Sequence, residues 1–196
     1  MKNPTKFLQP GLLALLLMFT LGAFAQVKYN NKNGLNLVVS GTSTLHDWDM
    51  KSSQGSFDAS FTFNAAGAVT GITGLSFTTP ATALKSEKEA MDKNAYKALK
   101  TDQNPNISFT AASATVTVAN ATDFTVKAVG KLNIAGAGLD AEIVATGKIN
   151  ADKSITVTGA KKISMKEFGM TPPSFMMGTI KTGNEVTLKF DLKLTK

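Results

Sequence analysis

The chain has 196 residues, 43% of them hydrophobic and 18% charged, with 21 basic against 14 acidic side chains and a formal charge of +7. It holds no cysteine, which excludes disulfides, thiol chemistry and lipid attachment at an N-terminal cysteine. Every basic residue is lysine and the lysines are scattered, so the arginine forks that read phosphate and guanine are missing and a nucleic-acid partner is not expected. At most, this charge gives peripheral attraction to an anionic membrane surface.

The first 25 residues read as a secretory signal peptide: Lys2 and Lys6, an apolar run from Gly11 to Leu21, then Ala23-Phe24-Ala25 before Gln26. The apolar run is too short for a membrane span. Cleavage after Ala25 leaves one domain, residues 26–196, and lowers the charge to +5 because Lys2 and Lys6 depart. The expected location is the periplasm or the cell exterior.

From Leu35 onward the chain alternates apolar and polar residues with a period of two, broken by Gly, Asn and Asp. Leu35, Leu37 and Val39 share a face; Phe57, Ala59, Phe61 and Phe63 share another. The pattern recurs near Leu75 and Phe77, Ile107 to Val118, Phe124 to Ile134, Ala141 to Ile149, Ile155 and Val157, and Val186 to Leu194. About eight strands at this spacing predict an all-β antiparallel sandwich or barrel. Turns are expected at 31–34, 64–67, 119–123, 136–138, 150–153 and 182–184.

Three segments break the alternation. Gly41-Thr42-Ser43-Thr44-Leu45-His46-Asp47-Trp48 holds the chain's single histidine and single tryptophan, between strands. Ser43, His46 and Asp47 have the residue types of a catalytic triad, but triads are assembled from distant segments, and one histidine without cysteine is a poor start for a metal site. The plainer reading is a rim in which His46 and Trp48 are partly buried and donate to backbone carbonyls while the indole closes one end of an apolar interior. Residues 86–100 predict a short amphipathic helix, with Met91, Ala95 and Leu99 on one stripe and a Ser86–Glu89 capping box. This helix packs over the barrel, as a lid or as plain core. Residues 165–178 join the last two strands and carry four of the eight methionines beside two phenylalanines and Pro172-Pro173. That loop is either an adaptable contact surface for apolar ligands or a plug.

The order of these features resembles the YceI-like family of polyisoprenoid-binding periplasmic proteins. The residues that carry the resemblance are Asp92 to Leu99, Asn104-Pro105-Asn106-Ile107-Ser108-Phe109, Val129 to Gly136, Ile163 to Met170, and the Gly41 to Trp48 segment. The resemblance spans almost the whole of residues 26–196 and implies an extended lipocalin-like antiparallel barrel of eight strands with one helix against it. It also implies non-catalytic binding, transport or sequestration of an isoprenoid lipid or isoprenoid quinone, with a homodimer as one arrangement open to such proteins. No other cofactor is expected, and one histidine without cysteine leaves no metal expected.

An eight-stranded barrel has room for packed side chains or for one slim ligand. Inward candidates mix large residues with the small Ala59, Ala111, Ala128 and Ala145. The expected ligand wall and rim comprise Trp48, Phe57, Phe61, Phe63, Leu75, Phe77, Leu99, Phe109 and Phe190, with Met165, Phe168, Met170, Phe175 and Met176 from the loop. His46 is the expected polar contact at the rim. The competing readings are a filled barrel acting as an envelope stress or interaction protein, and an enzyme centred on His46 and Asp47.

Overall fold

The computed structural model describes residues 26–32 and 34–196; the expected signal peptide lies outside the described residues. Eleven strands and one helix follow in the order β1 (Gln26–Asn30), β2 (Leu35–Ser43), β3 (Trp48–Ser52), β4 (Ser56–Phe63), β5 (Val69–Pro80), α1 (Glu89–Leu99), β6 (Asn106–Val118), β7 (Asp123–Ile134), β8 (Ala137–Ile149), β9 (Ile155–Ser164), β10 (Ser174–Phe175) and β11 (Ile180–Leu194). Ten of them form one antiparallel curled sheet ordered β1-β4-β5-β6-β7-β8-β9-β11-β2-β3, and β10 pairs with β11 beside it.

The all-β architecture with one helix is as expected, but the strand count is eleven and not eight. The three additional strands are β1, β3 and β10. Thr182 to Asn184, expected as a turn, lies inside β11, where the register against β2 shifts between Thr182 and Val186. The strand absorbs the Gly and Asn as a bulge and continues.

The alternation works as its period demands. In β7, Phe124, Val126, Ala128, Gly130, Leu132 and Ile134 are buried while the residues that alternate with them face outward. A Tyr29, Phe61 and Phe124 cluster anchors one end of the core, with Tyr29 and Phe61 edge to face at 5.5 Å and Phe61 and Phe124 at 6.2 Å.

Both edge strands are tied down. Asn30 exchanges backbone hydrogen bonds of 2.9 and 2.8 Å with Thr195, just beyond β11. Lys51 of β3 exchanges bonds of 2.7 and 2.8 Å with Lys85, in the segment that leads from β5 to α1. Each latch closes its edge at one residue.

The expected Ser86–Glu89 capping box is replaced by a different device. Asp92 is buried and accepts the Ser86 N–H at 2.7 Å and the Ser86 hydroxyl at 2.8 Å, while Glu89 pairs with Lys93 on the surface at 2.8 Å. The carboxylate within the helix thus reaches back to fix the approaching chain. At the other end Lys100 takes a left-handed conformation (φ 54°), and its ammonium donates to the Gly169 carbonyl at 3.2 Å, joining α1 to the 165–173 loop.

A second carboxylate closes the β8–β9 turn. Asp152 accepts from the Ser154 hydroxyl and backbone N–H and from the Lys193 ammonium at 3.0 Å, which together hold its carboxyl far below the usual carboxylate range. A folded-state pKa below the unfolded one gives stability that is complete above about pH 3.9 and fades as the pH falls further. Asp152→Asn therefore lowers stability at neutral pH and flattens its fall below about pH 4, read from denaturant midpoints across an acid series. An unchanged acid slope would remove the turn from that role.

Candidate functional site: a two-chambered apolar cavity

The sheet, α1 and the loop before β11 enclose two cavities. The outer one measures about 330 Å³ and opens between the β2–β3 turn, α1 and β10. The inner one measures about 100 Å³ and lies deeper between the sheet walls. Val39, Leu84, Ile107 and Leu188 border both, forming a waist.

The walls are mostly carbon and sulfur; Lys161 is the one charged side chain along the inner chamber. In the outer chamber Met50, Met91, Met165 and Met170 supply thioethers, and Ala95, Ala98 and Leu99 present the inward stripe of α1. Polar side chains occur at the rim: Ser43, His46, Lys88, Asn94 and Thr182. In the inner chamber Phe57, Phe61, Phe77, Phe109 and Phe190 form the wall, with Leu75, Ala128 and Ala145 among them.

Trp48, Leu99, Met165, Met170, Phe175 and His46 thus line the outer chamber, while Phe57, Phe61, Leu75, Phe77, Phe109 and Phe190 line the inner one. Three expected wall residues stand elsewhere. Phe63 packs beside Tyr29 and Phe61 at 6.2 and 6.4 Å. Phe168 is buried under the loop, and Met176 is 73% exposed. The reading of residues 35–194 as strands left out Leu84, Ile163 and Ile180 as lining residues, although Met91 and Ala95 were legible from helical spacing.

The methionine loop is both plug and surface. Met165 accepts backbone bonds from Phe168 and Met170 at 3.2 and 3.1 Å, across a turn in which Gly169 has φ +64°. This buries Met165, Phe168 and Met170 together, whereas Met176 and Met177 stand in solvent. Asn184 pins the root of the loop: its amide nitrogen donates to the Ser164 hydroxyl at 2.8 Å, and its oxygen accepts the Lys166 N–H at 3.0 Å.

At the rim the Ser43 hydroxyl donates to the His46 carbonyl at 2.7 Å and accepts the Leu45 and His46 N–H groups at 3.2 and 3.1 Å. His46 Nδ1 lies 2.7 Å from the Asp47 carbonyl oxygen, so that nitrogen carries a proton and donates. Ser43, His46 and Asp47 therefore build a turn, with no hydroxyl-to-imidazole or imidazole-to-carboxylate contact of a triad. His46 is exposed, not partly buried as expected, while the Trp48 indole N–H donates to the Thr42 carbonyl at 3.0 Å.

The aromatic rings keep the interior open by lying against glycines. Gly41 stands directly across from Trp48, and a Cβ there would fall 2.2 Å from the indole. Gly159 stands across from Phe190 in the same relation, at 2.4 Å. A methyl group at Gly41 drives the indole off its wall. Gly41→Ala is expected to cost about 1–3 kcal/mol and to shift the fluorescence of Trp48, the protein's single tryptophan. Unchanged emission would mean that the wall yields instead of the ring.

Residues 25–194 match the family model of the YceI-like domain. The chain belongs to the YceI-like family. Among solved structures, Burkholderia cenocepacia BcnA is similar with a TM-score of 0.62 and 14% identity, covering 83% of this chain and 96% of that one. A polyisoprenoid-binding domain from Saccharophagus degradans, implicated in plant cell wall breakdown, gives 0.59 and 13%, covering 85% and 97%. A Campylobacter jejuni YceI protein gives 0.52 and 17%, covering 71% and 81%. At such identities the likeness speaks for the YceI-like fold. No curated protein sequence matches the chain.

Proposed function

We propose that this YceI-like protein is a non-catalytic carrier or sequestering protein for an isoprenoid-type lipid, exported from the cell, with the apolar chain in the two chambers and the head group at the rim. The observation that carries the reading is an apolar wall running through both chambers, broken in the inner one by Lys161 alone, with the other polar side chains gathered at one mouth. The likeness to a polyisoprenoid-binding domain supports the choice of isoprenoid.

Burying ten carbons contributes roughly 8 kcal/mol before ordering costs, so affinity comes from chain length and no polar anchor is needed inside. An apolar cavity of about 150 Å³ holds a benzene ring. By that measure chambers of about 330 and 100 Å³ enclose roughly fifteen to twenty carbons, or three to four isoprene units. A longer chain leaves its remainder at the mouth or displaces the waist residues. The head group would meet His46, Lys88 and Asn94, and a quinone ring would meet Trp48. The open outer chamber weighs against a filled barrel as the alternative.

Native mass spectrometry of protein purified from its own source, followed by organic extraction, tests the proposal. A stoichiometric isoprenoid is the expected result. Protein that arrives empty and takes up neither farnesol nor longer polyprenols refutes it.

A further inference from the structure

The mouth of the outer chamber carries apolar surface that runs out past the chamber into solvent, with Leu45 on its lip. Met176 and Met177 are 73% and 107% exposed, and Leu45 is 66% exposed. The three belong to one rim because Thr44 of the β2–β3 turn is bonded to the chain just after the methionines. Its N–H donates to the Lys181 carbonyl at 3.0 Å, its hydroxyl accepts the Lys181 N–H at 3.1 Å, and the hydroxyl lies 3.4 Å from the Thr179 carbonyl. Met176 and Met177 have φ of 48° and 55°, a left-handed pair that holds both side chains outward at a conformational cost. Ile180 and Thr182 line the chamber, so alternation turns Lys181 to the outside of the same rim. Lys88 stands at the opposite lip, on the entry to α1. Neither lysine is in an ion pair among the described residues. Asp47 is the acidic residue of the turn.

We infer that this rim docks on an anionic lipid bilayer, Leu45, Met176 and Met177 entering the acyl boundary and Lys88 and Lys181 meeting phosphate head groups. Exposed unbranched thioethers suit a disordered acyl surface, and lysines beside them add attraction to anionic lipid. Continuity with the chamber gives the arrangement its purpose, which rests on the carrier reading above: an insoluble chain moves between bilayer and cavity without crossing water.

The test is flotation of the purified protein with phosphatidylcholine vesicles, with and without phosphatidylglycerol. The wild type partitions onto the anionic vesicles. Met176→Ser with Met177→Ser lowers that partition roughly tenfold or more, and Lys181→Glu lowers it about fivefold on anionic vesicles alone. Both variants melt as the wild type does, since the changed side chains are exposed. Wild-type partition in the double variant, or no vesicle binding by the wild type, overturns the inference. A concentration-dependent dimer in buffer that the double variant loses also overturns it, and assigns the patch to a second copy of the chain. Uptake of farnesol from detergent keeps the two readings apart. Retained uptake in a double variant that no longer floats supports docking as a separate property; failed uptake in a wild type that floats refutes the carrier reading and leaves the docking surface standing.

Discussion

Replacing Ala98 with tryptophan closes the outer chamber and abolishes uptake of an apolar ligand while the fold and its melting temperature are retained. Ala98 lies on the inward stripe of α1 and faces empty space, so a larger side chain has somewhere to go. Overpacking is destabilising in a dense core, but filling a void is neutral or favourable. Excluding even four carbons of ligand forfeits about 3 kcal/mol, roughly a hundredfold in affinity. Native mass spectrometry with added farnesol reads the titration, because the new indole shares the chamber with Trp48 and would mask its quenching. Uptake equal to wild type in the folded variant would place the ligand outside this chamber.

Phe61→Ala carries the largest expected loss of stability. Phe61 is 1% exposed and is held edge to face by Tyr29 and Phe124, while its other side forms part of the inner chamber wall. Truncation leaves a void that neighbouring rings on separate strands cannot collapse into, so the expected loss is about 3–5 kcal/mol. For a chain of this size that lowers Tm by roughly 10 °C or more. Calorimetry and denaturant midpoints check it, and a loss below about 1 kcal/mol would show that the wall collapses after all. A charged residue at Phe61 would confound binding with unfolding, which makes Ala98 the cleaner probe of the cavity.

The sheet was legible wherever one face is continuously apolar. The alternation in β4, β7 and β11 leaves one choice of inward face, because a slip of one residue exposes the whole set. It was not legible in β3, whose inward positions are Trp48, Met50 and the buried polar Ser52, so the apolar signal stops after two residues. In β1 five residues gave too short a window, and in β10 two residues gave none. The break expected at Gly183 and Asn184 failed for another reason: local turn propensity lost to a ladder of ten pairs against β9 and eight against β2.

The cavity was half legible. Its aromatic and methionine residues could be named from the alternation and from the loop's composition, because large inward side chains must meet somewhere. Their disposition could not, because it depends on cross-strand register. Gly41 opposite Trp48 and Gly159 opposite Phe190 are far-apart or unremarkable positions until the strands are paired. The same holds for Asp92, which lies three residues beyond the glutamate that spacing favours for the helix start, yet is the carboxylate turned inward.

The pairing of β2 with β11 sets Leu35 against Leu192 and Gly41 against Val186, so an early strand takes its neighbour from the end of the chain. The first strand is latched later still, by Thr195. Synthesis from the N-terminus therefore delivers β1 to β9 before the strand that joins β9 to the β2–β3 pair exists. Long-range pairing of this kind makes folding slow and dependent on the completed polypeptide. A chain still on the ribosome lacks this closure until β11 has emerged, and clipping β11 yields a species with open apolar walls that aggregates.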